Sequence, residues 1–268
     1  MNVTCLTPFG AQHRGGVPVV VEALSSALAV GGDCALSVLC AKEDGIAGTG
    51  PWEAVSLKPL PVLGPISLGF LREFQAQLEA TEPEVIHIHG IWTCLSYQHH
   101  NFQKTRNIPY AISPHGMLDE WALSNSQWKK KIVERIFERA HLERANILVA
   151  LSESELKSIR SYGLKNPVAV IPNGVELPDL SLPIERCCWY GETRKALLFV
   201  GRVHPKKGLP LLIQAWAKLK KIDPPISTEW FVAIAGDGDT DDLNELKESV
   251  RELELSEDIQ FLGPIYGE

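Results

Sequence analysis

Arg202 and Lys207 lie five positions apart in the loop Gly201-Arg-Val-His-Pro-Lys-Lys-Gly208. The apolar run Leu197 to Val200 precedes them and reads as a short buried strand ending at Gly201. After them, Leu211, Leu212, Ala215, Trp216 and Leu219 share one expected helix face. A strand end, two cations and a helix N-terminus therefore converge on one loop. Such a loop suits a diphosphate. The helix start presents unpaired N–H groups and partial positive charge. Arginine grips phosphate oxygens in bidentate fashion, and lysine adds a point charge. A solvated loop with incidental cations is the plain alternative.

Other loops carry groups that could meet a ligand. Gly15 and Gly16 fall between an apolar strand and a helix, where the lack of side chains lets a ligand approach backbone N–H groups. A flexible loop with a glycine cap is the alternative. His115 follows the strand-like Tyr110 to Ser113 in the tight sequence Pro114-His115-Gly116. Open α/β sheets bind ligands at such strand ends; a hydrogen-bonded structural histidine is the alternative. His87 and His89 alternate on one expected strand and so face the same side. No further metal ligands stand out around them, and packing near the site is the simpler reading. Gly236-Asp237-Gly238 and Phe261-Leu262-Gly263-Pro264-Ile265 read as turns at strand ends.

These loops need elements to position them. Apolar strands alternate with helical patterns along the chain, which predicts an α/β fold with parallel sheets. The first half reads as strands at Val3–Thr7, Ala35–Cys40, near Ala54–Leu57, and at Val85–His89, Tyr110–Ser113, Ile147–Ala150 and Val168–Ile171. Helices are expected at Val17–Val30 (Val20, Ala23, Leu24, Ala27 and Leu28 inward), Leu68–Leu78, Ser96–Thr105 and Ser126–Ala145. Gly45–Pro65 reads as largely irregular. Ser152 and Glu155 have the spacing of a capping box ahead of a helix at Leu156–Tyr162. Pro172 to Glu192 carries Pro172, Pro178 and Pro183 with little periodicity, and residues 179–194 read as the connector between a domain at 1–178 and a second at 195–268. The second shows strands at Leu197–Val200, Trp230–Ala235 and Ile259–Leu262 and helices at Leu209–Lys221 and Thr240–Leu253, about half of a typical Rossmann-like domain. A half-built sheet of this kind is expected to expose an apolar edge or face.

Composition narrows the function classes. The 268 residues are 45% hydrophobic and 22% charged, ordinary for a globular protein. A formal charge of −7 argues against nucleic acid as a partner. No apolar run reaches the length of a membrane span and no signal segment opens the chain, so a cytoplasmic location is expected. The six cysteines, scattered apart from Cys187-Cys188, read as reduced thiols with no disulfide frame or zinc site. Ser126–Ala145 carries Lys129, Lys130, Lys131, Arg135, Arg139 and Arg144 beside an apolar stripe of Ile132, Ile136, Phe137 and Ala140. A basic amphipathic helix of this kind can rest on anionic lipid. Glu134, Glu138 and Glu143 interleave, and a solvated, ion-paired helix is the alternative.

Val200-Gly-Arg-x-x-Pro-x-Lys-Gly208 followed by Leu-x-x-Leu-Ile-x-Ala resembles retaining glycosyltransferases of family 4, which have the GT-B fold. Gly15-Gly16, Val85-Ile-His-Ile-His-Gly90, Ser113-Pro-His-Gly-Met-Leu118 and Ile171-Pro-Asn-Gly-Val175 resemble the same group in the same order. The resemblance implies two Rossmann-like domains, and transfer of a hexose-type sugar from a nucleoside-diphosphate sugar to a hydroxyl of a glycan or lipid-linked acceptor. It implies a diphosphate held by Arg202, Lys207 and Gly16 without a metal ion or other cofactor. It implies His115 as the group that meets the transferred sugar, Gly15 and Gly116 in loops between donor and acceptor, and Gly236 and Ile265 at the nucleoside. Asp119 and Glu120 could touch an acceptor hydroxyl or simply start the next helix. The central wording resembles enzymes of bacterial cell-surface polysaccharide synthesis (O-antigen, capsule or exopolysaccharide), and a lipid-linked acceptor would bring peripheral contact with an anionic membrane. The family's Glu-x7-Glu motif is missing: no two glutamates stand eight positions apart. A chain truncated within its second domain, and inactive for that reason, is therefore also expected. The alternative function is a non-catalytic remnant that binds an acceptor or a partner chain.

Overall fold

The computed structural model describes residues 1–11, 15–43, 55–175, 177, 181 and 193–265. It divides into two compact units, Met1–Glu176 and Leu177–Glu268. Most of the expected connector, parts of the 8–16 and 45–65 stretches, Cys187-Cys188 and the final three residues lie outside the described residues.

The first unit runs β1 (Asn2–Leu6), α1 (Gly16–Val30), β2 (Ala35–Ala41), β3 (Ser56–Leu60), α2 (Phe74–Glu79), β4 (Val85–His89), α3 (Cys94–Gln103), β5 (Tyr110–Ser113), α4 (Glu120–Ser124), α5 (Gln127–Val133), α6 (Arg139–Glu143), β6 (Ile147–Ala150), α7 (Glu153–Ser161) and β7 (Val168–Val170). The strands form one sheet in the order β3-β2-β1-β4-β5-β6-β7, and every pair is parallel. The winding reverses between β1 and β4, the place where open α/β sheets take ligands. Alternation along the strands sorts side chains between two faces. Leu6, Ile86 and Ile88 enter the larger core with Leu78, Ile112 and Leu148. Val3 and Cys5 enter a smaller one with Val21 of α1.

The second unit runs β8 (Lys195–Val200), α8 (Leu209–Ile222), α9 (Ile226–Glu229), β9 (Trp230–Ala235), α10 (Thr240–Glu252) and β10 (Ile259–Gly263). Its three strands lie in the order β10-β9-β8 and pair in parallel. Ile213, Trp216, Val232, Ile234 and Val250 form its core.

Several sequence expectations need correction. Leu197 to Val200 is not a buried strand. β8 is an edge, and Leu197, Leu198 and Val200 are 42%, 48% and 73% exposed. α8 buries Trp216 and half-buries Leu212 as expected, but its other inward residues are Leu209 and Ile213, while Leu211 and Leu219 are exposed. α1 buries Pro18, Val21, Glu22 and Ser25, and Ala23, Ala27 and Leu28 face out. Both helices are apolar on more than one side, so periodicity alone does not select the buried side. Leu68–Leu78 is a 3-10 turn at Ile66–Leu68 followed by the short α2. Ser126–Ala145 is interrupted by a π-helical turn at Glu134–Glu138. Half of its stripe faces solvent: Ile132 and Ile136 are 51% and 67% exposed, Phe137 and Ala140 are half-buried, and Glu138, His141 and Leu142 are buried. The wider π turn rotates the side chains after it, and Glu138 turns inward to accept the Trp92 N–H at 2.9 Å.

Candidate functional site

In the first unit, the loops after β4 and β5 meet above the switch in strand order. Gly90 N–H donates to the Ser113 carbonyl at 2.9 Å, which carries the β4–β5 pairing one step past the strands. Beyond Pro114 the chain turns through the left-handed region at His115 (φ 53°) and Gly116 (φ 72°). A non-glycine residue pays strain there unless its surroundings fix it. Three contacts fix it. Gly116 N–H donates to Glu155 Oε1 at 2.7 Å. Met117 N–H donates to the Pro114 carbonyl at 3.2 Å, and Trp92 Nε1 donates to the Met117 carbonyl at 3.2 Å.

Glu155 therefore departs from the capping-box expectation. Ser152 does cap α7, accepting the Glu155 N–H at 3.2 Å. The Glu155 carboxylate does not return to Ser152. Its Oε2 accepts the Leu151 N–H at 2.7 Å and its Oε1 crosses to Gly116. The Ser-x-x-Glu spacing marks the helix start correctly. It says nothing of a loop 39 residues upstream that offers the carboxylate a second donor.

The turn brings His115 onto the two histidines of β4. His89 Nδ1 and His115 Nε2 are 3.0 Å apart, and the rings stack with centroids 5.3 Å apart. His87 Nε2 meets Ser113 Oγ at 2.8 Å. Burial, and the neighbouring His115, lower the His87 pKa to about 4. Burial lowers His115 to about 4, and burial with the two neighbouring imidazoles holds His89 well below the ordinary range. All three are neutral near pH 7. His115 is half-buried. One of its nitrogens is engaged by His89, which leaves Nδ1 to offer a hydrogen bond, not a charge, to a ligand. Cys5 of β1 is the register partner of His87, and burial pushes its thiol up to about 11. Sequence reading finds no partner set for the His pair. Only the β1–β4 register reveals Cys5 beside it. Among the described residues Cys5, Cys34, Cys40 and Cys94 are free thiols.

Gly15 caps α1 at φ 115°, and a Cβ on Gly15 or Gly16 would meet nothing within 4 Å. The backbone at the start of this 15-residue helix is thus approachable. Asp119 and Glu120 take the helix-start reading, as N-cap and first residue of α4.

In the second unit, β8 leads into Gly201 and Arg202. A 3-10 turn at Pro205–Lys207 follows, capped by His204 Nδ1, which accepts the Lys206 N–H at 3.3 Å. Gly208 (φ 72°) then starts the 14-residue α8, whose first turn has no side-chain cap. Arg202 and Lys207 are exposed, and their side chains make no hydrogen bond or ion pair with another described residue. Two cations and an uncapped helix start thus stand on one loop. The glycines after β9 support that loop. A Cβ on Gly236 would lie 2.0 Å from the Gly201 carbonyl oxygen, and one on Gly238 would lie 2.4 Å from that of Val203. Val203 N–H donates to the Asp237 carbonyl at 2.7 Å across this contact. Packing of backbone on backbone is therefore a sufficient reason for glycine at 236. Ile265 is 52% exposed beyond β10.

The sequence profile described as Glycosyltransferase Family 4 matches residues 14–178, and that of Glycosyl transferases group 1 matches residues 190–268. Among curated proteins, the D-inositol 3-phosphate glycosyltransferase of Geodermatophilus obscurus is 27% identical over 82% of this chain and 51% of its own length. That of Actinosynnema mirum is 27% identical over 98% of this chain and 65% of its own length. The chain thus spans half to two thirds of these relatives. Sucrose-phosphate synthase from Thermosynechococcus elongatus superposes with a TM-score of 0.73 at 19% identity, over 99% of this chain and 71% of that one. Anabaena HepE, solved in complex with UDP and glucose, superposes with a TM-score of 0.71 at 18% identity, over 99% of this chain and 70% of that one. WaaG, a glycosyltransferase involved in lipopolysaccharide biosynthesis, gives 0.66 at 15% identity, again over 99% and 70%. These likenesses fix the fold as that of GT-B glycosyltransferases. With more than half of its length matched by one family profile, the chain belongs to glycosyltransferase family 4.

Proposed function

We propose that this chain binds a nucleoside-diphosphate sugar and serves transfer of its hexose, with retention at the anomeric carbon, to a hydroxyl of a glycan or lipid-linked acceptor. The observation that carries the reading is the Gly201–Leu209 loop, with Arg202, Lys207 and the start of α8 on one strand end. Charge builds on the diphosphate as the sugar leaves, and preorganised donors stabilise it there. Two cations and a helix terminus on one loop supply that stabilisation without a divalent metal. In the first unit His115 offers its Nδ1 to the sugar, and the Gly15-Gly16 backbone is assigned to the diphosphate or the acceptor. Gly116 gives the His115 loop its turn. Gly236 and Ile265 are assigned to the nucleoside. Cell-surface polysaccharide synthesis is the setting that the Ser113–Leu118 wording favours, with WaaG among the structural neighbours.

An acceptor held in lipid would need the protein at a membrane surface, on its cytoplasmic side. Trp128, Ile132 and Ile136 are 66%, 51% and 67% exposed, and Lys129 and Lys131 are exposed among them. That combination of apolar and basic side chains favours peripheral binding to anionic lipid.

Calorimetric titration of the chain with UDP, GDP and ADP, without added metal, tests the donor site. Binding of one nucleotide that is lost in Arg202→Ala is the expected result and identifies the base. A folded chain that binds none of them overturns the assignment.

A further inference from the structure

Cys5, His87 and His89 stand together at the switch in strand order, on the sheet face away from Ile86 and Ile88. One ligand atom from each lies within 4.8 Å of the others. Each residue is also held from behind by a polar partner. Ser25 Oγ donates to Cys5 Sγ at 3.7 Å. Ser113 Oγ sits on His87 Nε2 at 2.8 Å, and His115 Nε2 on His89 Nδ1 at 3.0 Å. With His87 Nε2 and His89 Nδ1 engaged in these contacts, His87 Nδ1 and His89 Nε2 are the nitrogens left for a ligand beside Cys5 Sγ. His89 Nε2 is buried with no hydrogen-bond partner, on a side chain only 1% exposed. A buried imidazole nitrogen without a partner is uncommon, and an unmet ligand is one physical reason for it. His87 is only partly buried and gives the cluster a side open toward solvent.

We propose that Cys5 Sγ, His87 Nδ1 and His89 Nε2 bind a zinc ion, with water as its fourth ligand. One thiolate and two imidazoles are a donor set that zinc favours, and magnesium or calcium would take oxygen ligands instead. Tetrahedral zinc with bonds of about 2.0–2.3 Å holds its ligand atoms about 3.4–3.8 Å apart, so binding draws these three inward by no more than about 1.5 Å. Ser25, Ser113 and His115 supply the outer hydrogen bonds that orient metal ligands. The thiol gives up its proton to solvent as the ion binds. The ion ties β1 to β4 and, through His89, fixes the imidazole of His115. Its three ligands all belong to the first unit, and binding does not depend on the transferase reading.

Cobalt(II) added to the purified chain provides the test, because thiolate-bound cobalt has a near-ultraviolet charge-transfer band. One equivalent should produce the band, and zinc should remove it. Cys5→Ser should abolish it with the circular dichroism unchanged, while Cys34→Ser and Cys94→Ser keep it. Should Cys5→Ser fail to fold, X-ray absorption at the zinc edge of the wild-type chain decides, with one sulfur and two nitrogen neighbours expected. A folded wild-type chain without the band, a band that survives in Cys5→Ser, or a zinc shell without sulfur overturns the proposal.

Discussion

Glu155 holds two backbone N–H groups from two separate loops, one at Gly116 and one at Leu151, each at 2.7 Å. An amide at this position can accept one of them only by turning its NH2 toward the other. Glu155→Gln should therefore leave a buried N–H unpaired and lower stability by about 1–3 kcal/mol. Urea unfolding reads this directly, and an unchanged midpoint would mean that the carboxylate does not hold the turn. Arg202 and Lys207 stand at the other extreme, exposed and unpaired among the described residues. Removing either should cost little stability. It should lower sugar transfer by about 10²–10³-fold, the usual loss when one preorganised donor to a developing charge is removed. Full turnover in both Arg202→Ala and Lys207→Ala would rule out the diphosphate role. Residue types and spacing made this loop legible, because its groups are neighbours in the chain. Glu155 with Gly116 and Cys5 with His87 were not legible, because each pair is made by packing between distant segments.

At the scale of elements, the strands followed from apolar periodicity, and most of their boundaries lie within a few residues of expectation; the short helices α4 and α9 did not follow, and neither did the break in the 126–145 helix. Facing did not follow for α1, α8 or the 126–145 segment. In α1 buried Glu22 and Ser25, and in the 126–145 segment a π turn with buried Glu138, help decide which side is inward, and a count of apolar residues records neither; α8 is apolar on more than one side. The packing of α3 on α6 shows the consequence. His99 Nδ1 meets His141 Nε2 at 3.0 Å, with Gln103 Nε2 at 3.3 Å on the other nitrogen of His99. Glu138, Tyr110 and the basic Lys104, His100 and Arg144 surround this buried pair. Burial, with the neighbouring imidazoles, holds His99 well below its ordinary pKa. A histidine with a lowered folded pKa stabilises the fold above its unfolded value of about 6.5, and that contribution is lost as pH falls. Each proton taken up only by the unfolded chain removes about 1.4 kcal/mol per pH unit. The urea midpoint should thus fall between pH 7 and 5, and less steeply in His99→Gln. Equal slopes in the two proteins would clear His99 of the effect. The outer side of the 126–145 segment supports a separate expectation. The chain should sediment with vesicles containing phosphatidylglycerol and not with pure phosphatidylcholine. Lys129→Glu with Lys131→Glu should weaken that binding by more than tenfold, at about 1 kcal/mol per cation removed. Binding indifferent to lipid charge would exclude the electrostatic surface.

The whole molecule is unequal in its two units. The first has seven strands, with β1 and β4 flanked on both edges, and two cores on opposite faces of the sheet. Among the described residues the second has three strands, of which only β9 is flanked on both edges, and one core. Its edge strand β8 leaves Leu198 and Val200 48% and 73% exposed, and α8 ends with Ile222 82% exposed. Apolar area that stays in water adds nothing to stability, at a forgone gain of about 25 cal/mol per Å². An edge strand is also the first to fray, since its outer N–H and C=O groups lack a neighbour. Opening of the second unit should thus need less free energy than opening of the first. Hydrogen exchange followed by mass spectrometry should show β8 and β10 exchanging well before β1, β4 and β5. Nucleotide should slow exchange at Gly201–Leu209 most, because a ligand that binds only the folded unit stabilises it by mass action. The two results are separable. Uniform protection across both sheets would refute the argument from sheet size and exposure. Unequal protection that no nucleotide alters would leave that argument standing and refute the donor loop.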